Sequence, residues 1–326
     1  MRRHEPVLLR EAVALLNCKS EGLYVDCTLG MGGHTESILE HISPSGRVVA
    51  FDRDIEAIRF AETRLGRYQE RLKMMHADYR TLKQVWETNS FPPANGILAD
   101  LGPSMLQFTT TERGFSFQSN GPLDMRMDRS QAGTAEQIVN RSSISELTVI
   151  LRNFGEEKFA GRIARAIVRE RQTSPVQTTE QLRQIVEQAI PRNREKAVHP
   201  ATKTFQALRI AVNKELENLD LFVFDAFDTL ATGGRLVIIA FHSLEDRVIK
   251  QTFQFLSAAC RCPKRFLQCI CGGKPLSKLL TRKTVRPESE EIERNPASRS
   301  ARLRAIEKRS GPVPRELWPE WLEERN

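Results

Sequence analysis

Residues 23–42, LYVDCTLGMGGHTESILEHI, decide the fold. LYVDCTL is a short β-prone run, GMGGH is a glycine-rich turn, and TESILEHI carries apolar residues at helical spacing, so the stretch reads strand, turn, helix. Just downstream, GRVVAFDRD supplies a second strand, from about Arg47 to Phe51, that ends in acid, and IEAIRFAETRL supplies a second helix. GILADLG, residues 96–102, is another apolar run with a carboxylate at its end. The alternation of strand and helix predicts an α/β fold with a parallel sheet.

The strand pattern then stops. From about Thr134 to Asn218, the segments AEQIVN, ISELTVILRNF, EEKFAGRIARAIVRER and TEQLRQIVEQAI have helical spacing and are punctuated by Pro175, Pro191 and Pro200. GGRLVIIAFHS, residues 233–243, follows a helix and a Gly-Gly turn and reads as a later strand of the same sheet. The expected organisation is a core domain in two parts, 1–130 and 216–310, around a helical insert at 131–215, with 311–326 as a C-terminal tail. Beyond Arg282 the chain is polar, charged and dotted with proline, and part of it is expected to be loosely ordered or dependent on a partner.

The 326 residues include 40% hydrophobic and 28% charged types, the profile of a folding globular protein rather than a disordered one. A net charge of +8 favours a polyanionic partner. No run approaches the roughly 18 apolar residues of a membrane span, and Glu5, Arg10 and Glu11 interrupt the N-terminal stretch where a secretory core would lie. Cys18 and Cys27 stand far from the cluster Cys260, Cys262, Cys269 and Cys271, which suits a reducing cytoplasm better than a disulfide scaffold.

Gly30, Gly32 and Gly33 sit where a strand meets a helix, and Asp52 and Asp54 follow Gly30 by 22 and 24 residues. An acid at that spacing, ending the next strand, is placed to accept hydrogen bonds from both hydroxyls of a ribose. Asp78 and Tyr79 lie where a third strand would end, the neighbourhood of an adenine, and Asp100 ends the run LAD in the crevice where such sheets bind ligands. By itself a glycine turn is equally a tight connection in any α/β protein. GMGGHTES lacks the third glycine of the dinucleotide fingerprint, which weighs against a nicotinamide-dependent oxidoreductase.

Taken together, HEPVLLREAV, DCTLGMGGHT, AFDRD, ERGFSF, GPLDMRMD, GEEKFAGRIARAIV, HPATKTFQALRIAVNKELE, GGRLVIIAFHSLEDR and NPASRSARLR closely resemble the RsmH/MraW family of ribosomal RNA cytosine-N4 methyltransferases, from about His4 to Arg309. The resemblance implies a Rossmann-like S-adenosylmethionine-dependent methyltransferase sheet with an inserted helical domain. It implies methyl transfer to the exocyclic N4 of a cytidine in the decoding region of small-subunit ribosomal RNA, either naked or in the assembled subunit. Position by position, it carries cofactor contacts onto Gly32, Gly33, His34, Asp52, Tyr79, Asp100 and Gln107. A common family form of the fourth-strand motif reads like DLGVSSPQLD, whereas this chain has DLGPSMLQFT, which keeps Asp100 and Gln107 and changes the residues between them.

The D/N/S-P-P-Y/F motif of many amino-methyltransferases is missing, and DLGPS stands in its place. Catalytic candidates are therefore Asp100, Asp124 in GPLDMRMD and His242 in FHSLEDR, each of which also suits loop orientation or helix capping. Phe159, Ile163 and Ile167 recur every four residues, while Arg162, Arg165 and Arg169 share another face; with Arg294, Arg299, Arg302, Arg304 and Arg309 they form the candidate RNA contact. The spacing C-x-C-x6-C-x-C of Cys260, Cys262, Cys269 and Cys271 could supply four thiolates to a structural zinc, the alternatives being free thiols or a labile redox pair. The non-enzyme alternative is a ribosome assembly factor with a vestigial cofactor pocket.

Overall fold

The computed structural model describes residues 6–191, 199–262 and 267–313. The first residues of the HEPVLLREAV motif and most of the expected tail, from 314 on, lie outside the described residues. Contacts divide the chain into two compact units, one made of Met1–Gly102 with Asn218–Asn326 and the other of Pro103–Glu217.

The first unit begins with α1 (Leu9–Leu16), β1 (Leu23–Asp26), α2 (Gly33–His41), β2 (Arg47–Asp52), α3 (Ile55–Leu65), β3 (Leu72–His76), α4 (Leu82–Thr88) and β4 (Ala94–Asp100). The second unit follows, with α5 (Met105–Thr109), α6 (Ala135–Arg141), α7 (Ile144–Gly155), α8 (Ala160–Arg171), α9 (Thr179–Ala189) and α10 (Thr202–Asn213). The chain then returns to the first unit through α11 (Leu219–Thr229), β5 (Leu230–Ala240), α12 (Ser243–Ser257), β6 (Ser277–Leu279), α13 (Ser289–Arg294) and β7 (Arg302–Lys308).

The described strands form one seven-stranded sheet in the order β3-β2-β1-β4-β5-β7-β6. The first five of these run parallel, and β7 enters antiparallel to both β5 and β6. Strand order reverses between β1 and β4, so the crevice beyond the carboxyl ends of those two strands is the place a doubly wound sheet offers to a ligand. Tyr24, Val25 and Asp26 on β1 and Ile97, Leu98 and Ala99 on β4 are buried, as central parallel strands covered on both faces require. Among the described residues no helix is long and apolar enough to cross a membrane.

Within the polar stretch beyond Arg282, residues 302–308 form β7, with Leu303, Ala305 and Ile306 fully buried. From Arg302 to Ala305 charged and buried residues alternate, which is the period of a strand rather than of a helix.

The second unit has its own core, in which Leu147 and Leu151 of α7, Ile163 and Ile167 of α8, Leu182 and Val186 of α9, and Phe205 and Leu208 of α10 are buried together. It starts at Pro103 rather than near 131: Leu123 and Met125 join its core, and polar ties fasten the rest of the stretch. The buried guanidinium of Arg113 donates to the carbonyls of Arg126 and Met127 at 3.0 and 2.8 Å. Asn213, only 1% exposed, accepts from Met127 N at 2.7 Å and donates to the carbonyl of Met125 at 2.7 Å. Met125 itself is buried with a left-handed φ of 60°, a conformation that bulky residues hold only when their surroundings impose it. Asn213→Ala strands a buried donor and a buried acceptor at about 1–3 kcal/mol each. A urea titration is therefore expected to show a loss on the order of 2–4 kcal/mol, and a loss below about 1 kcal/mol would mean that Asn213 does not hold this loop.

Candidate active site

Three carboxylates stand at the carboxyl ends of three neighbouring strands: Asp52 on β2, Asp26 on β1 and Asp100 on β4. Each is tied to the glycine turn between β1 and α2. Asp52 accepts from Gly30 N at 2.7 Å with one oxygen and from Asp54 N at 2.8 Å with the other. Burial pushes its carboxyl up to about 6 against these two favourable bonds. Asp54, by contrast, is buried and caps α3 by accepting from Glu56 N at 3.0 Å, so of the two acids considered for a ribose only Asp52 faces the site.

Asp26 is fully buried and accepts from Thr28 N at 3.0 Å and Thr35 Oγ1 at 2.7 Å. Thr28 also reaches across, its Oγ1 accepting from Asp100 N at 2.7 Å. The turn thus joins the ends of β2, β1 and β4.

At Gly32 and Gly33 the missing side chain gives room to neighbouring protein. Gly32 caps α2 with a φ of 79°, and a Cβ there would stand 2.7 Å from Leu65 Cδ1; at Gly33 it would stand 2.2 Å from Pro6 Cγ. Glycine is needed so that α2 can start left-handed and lie close to its neighbours.

His34 is buried in the first turn of α2, with Nε2 3.0 Å from the carbonyl of Val7. A carbonyl only accepts, so Nε2 carries the proton and the neutral ring keeps its lone pair on Nδ1, 3.7 Å from Asp100 Oδ2. Burial lowers the His34 pKa, with Asp26 opposing it. Burial pushes Asp100 well above the ordinary carboxylate range, and the negative charges of Asp26 and Glu245 add to the effect. Asp100 Oδ1 is buried and has no hydrogen-bond partner among the described residues.

Tyr79 follows β3 and sets its ring edge-on to Phe222 with centroids 4.6 Å apart, and burial raises its phenol. Asp78 beside it serves the loop. Burial pushes its carboxyl up, but Arg80, bonded through Nε at 2.9 Å, and Arg53 at 3.7 Å outweigh that and hold it below its ordinary value.

His242 takes the capping alternative. It is the N-cap of α12, with Nδ1 accepting from Glu245 N at 3.2 Å while Glu245 Oε2 accepts from Phe241 N at 2.9 Å. Its Nε2 lies 3.2 Å from Glu245 Oε1, and both side chains are buried. Glu245 was missed from sequence, although His242 followed three residues later by Glu245, at the head of an apolar-periodic run, has the spacing of a capping box.

Gln107 and Asp124 belong to the second unit. Gln107 is buried and closes a capping box with Ser104, donating from N to Ser104 Oγ at 3.3 Å and accepting from Ser104 N at 3.1 Å. At Asp124, burial is outweighed by Arg126, which donates from Nε and Nη2 at 2.7 and 2.8 Å and holds the carboxyl below its ordinary value. Asp124 thereby organises its own loop.

On α8, Arg162, Arg165 and Arg169 are exposed while Ile163 and Ile167 are buried. Arg169 pairs with Glu170 at 3.1 Å. Two of the tail arginines leave the candidate RNA contact: Arg304 makes a two-bond contact with Asp246 at 2.7 and 3.1 Å, and Arg302 lies 3.6 Å from the same carboxylate, because both sit on β7 beside α12. The four cysteines come together, with all four Sγ atoms within 4.8 Å of one another.

A sheet whose five strands from β3 across to β5 run parallel, with carboxylates at the ends of β2 and β4 joined through a glycine turn, is a Rossmann-like arrangement, and its strand ends are where such folds offer a place to a ligand. The family profile of the MraW methylase family matches residues 1–309, and the chain belongs to that family of methyltransferases. It is 47% identical over 309 residues to the ribosomal RNA small subunit methyltransferase H of Halothermothrix orenii, covering 94% of this chain and 99% of that protein. It is 49% identical over 305 residues to the protein of the same name from Thermomicrobium roseum, covering 94% and 93%. Among solved structures it is distantly similar to a SAM-dependent O-methyltransferase from Thermotoga maritima, with a TM-score of 0.42 and 10% identity over 96% of this chain and 70% of that one.

Proposed function

We propose that this chain transfers a methyl group from S-adenosylmethionine to the exocyclic N4 of a cytidine in the decoding region of small-subunit ribosomal RNA, in the cytoplasm. The observation that carries the reading is Asp100, an acid at the end of β4 with one buried oxygen lacking a partner among the described residues. Small-subunit ribosomal RNA as substrate follows two relatives called ribosomal RNA small subunit methyltransferase H, and the cytidine N4 follows the family resemblance of the sequence motifs.

The residues present fit the cofactor. Asp52 spends one acceptor position of each oxygen on a backbone N–H and keeps others for ribose hydroxyls, and Tyr79 offers a ring for an adenine. When bound, S-adenosylmethionine supplies an electrophilic methyl on a sulfonium. The protein's task is to hold the acceptor nitrogen in line with that methyl. Asp100 Oδ1 is suited to accept a hydrogen bond from the N4 amino group, raising its nucleophilicity, and its elevated pKa suits it to take the proton that N4 sheds. Burial favours the neutral form of the His34 imidazole, whose Nδ1 lies 3.7 Å from Asp100 Oδ2.

A cytidine must be unpaired or turned out to present N4, which gives the second unit a role in holding RNA. Arg162 and Arg165 are exposed on α8 and form no ion pair among the described residues, which favours phosphate contact over an internal salt bridge. The strand-end acids Asp52 and Asp100 and their polar ties support a working site over a vestigial one.

Labelled methyl transfer to unmodified small subunits, followed by nucleoside analysis, is expected to yield N4-methylcytidine from the wild type and at least about a hundredfold less from Asp100→Asn. Label at another nucleoside, or an unimpaired variant, contradicts the assignment. Arg162→Ala with Arg165→Ala is expected to raise KM for RNA with little change in kcat.

Asp52 also makes affinity pH-dependent. With its carboxyl up to about 6, it loses a lone pair to a proton as pH falls through that value, so S-adenosylmethionine should bind about tenfold more weakly per pH unit below it. Calorimetry should show this slope in the wild type and lose it in Asp52→Asn, whereas a flat wild-type affinity between about pH 5 and 8 removes Asp52 from the ribose site.

A further inference from the structure

The segment between α12 and β6 leaves the sheet and comes back to the same point. At its base Leu276 N donates to Leu256 O at 3.1 Å, and the hydroxyls of Ser257 and Ser277 lie 2.7 Å apart. Beyond that base, Arg261 is the only buried residue among the described residues 258–275. A loop of this length without an apolar core among its described residues needs some other source of order to repay its conformational entropy.

The cysteines meet in this loop. Cys269 Sγ lies 3.8 Å from Cys260 Sγ, 3.9 Å from Cys262 Sγ and 3.4 Å from Cys271 Sγ, and Cys271 Sγ lies 3.8 Å from Cys260 Sγ. A tetrahedral ion with metal–sulfur bonds of about 2.3 Å places its sulfurs about 3.8 Å apart. Disulfide sulfurs would sit at about 2.0 Å, and all six cysteines of the chain are free. Four sulfurs within 4.8 Å of one another enclose a single ion and leave no room for a cluster with inorganic sulfide.

Backbone donors already face the sulfurs, with Ile270 N 3.2 Å from Cys262 Sγ and Arg261 N 3.4 Å from Cys271 Sγ. Such N–H···S bonds stabilise thiolates and orient them as ligands. Arg261 stands in sequence between two of the cysteines and spans the loop, its Nη1 donating to the carbonyls of Ala258 and Lys274 at 2.8 and 2.9 Å. Its Nε is buried without an acceptor among the described residues. A fixed cation there compensates the net double negative charge of a divalent ion held by four thiolates.

The geometry points to a structural zinc ion bound by Cys260, Cys262, Cys269 and Cys271. With no open coordination position the ion is structural, and it orders the loop that follows α12. Binding displaces four thiol protons, so the site loads as thiolate and is released by acid or by a strong chelator.

Elemental analysis of the full chain, purified under reducing conditions without added metal, is expected to give one zinc per chain. Cobalt exchanged into the same protein is expected to show the intense visible bands of a tetrahedral thiolate site. Cys260→Ser with Cys271→Ser is expected to abolish metal binding and open the segment 258–275 to protease, while Cys18→Ser leaves one zinc in place. Because the wild-type zinc content and cobalt spectrum need no variant, a misfolded mutant does not spoil the test. A reduced wild-type chain that is metal-free with four thiols reacting together overturns the proposal, as do disulfides within the cluster; iron in place of zinc overturns the identity of the ion. Zinc content is read independently of methyl transfer, so failure of either proposal leaves the other standing.

Discussion

The bond from Gly30 N to the Asp52 carboxylate, 2.7 Å long, is the constraint on which the rest of the site depends. It fastens the turn after the first strand to the end of the second. The same turn reaches the fourth strand through Thr28 Oγ1, and the first through Asp26 with Thr28 and Thr35. The ends of three acid-bearing strands are thereby tied to one short loop and the helix that follows it. Holding the acids there costs solvation, which is why burial raises Asp26, Asp52 and Asp100 together. Charge stored in this way is common at functional sites, because preorganised groups need not rearrange as the reaction proceeds.

The parallel half of the sheet was legible in the sequence because each strand there is an apolar run followed by a helix of clear period. Its antiparallel edge was not. RLRAIEK is short, has four charged residues in seven and lies in a stretch dotted with proline, so it reads as polar until its partners β5 and β6 bury Leu303 and Ala305. Its strand character also sets Arg302 and Arg304, considered for RNA contact, beside Asp246.

Candidate site residues separated along similar lines. Strand-end acids could be placed by spacing alone, and Asp52 and Asp100 are where the alternation put them. Which candidate side chain caps a helix could not be placed that way: Asp54 and His242 both satisfy helix N-termini. Gly32 and Gly33 are at the expected turn, where Leu65 and Pro6 also approach closely. The start of the second unit was missed because residues 103–134 are held by Arg113 and Asn213, side chains whose partners are carbonyls and N–H groups remote in sequence. Periodicity cannot report such ties.

The most direct test of the account is a crystal structure of the full chain with S-adenosylhomocysteine and a cytidine-bearing oligonucleotide. The account predicts ribose hydroxyls on the Asp52 carboxylate and a hydrogen bond from the cytosine amino group to Asp100 Oδ1, the oxygen with no partner among the described residues. A nucleoside bound away from the ends of β1, β2 and β4, or an Asp100 that remains unpartnered in the complex, would contradict it.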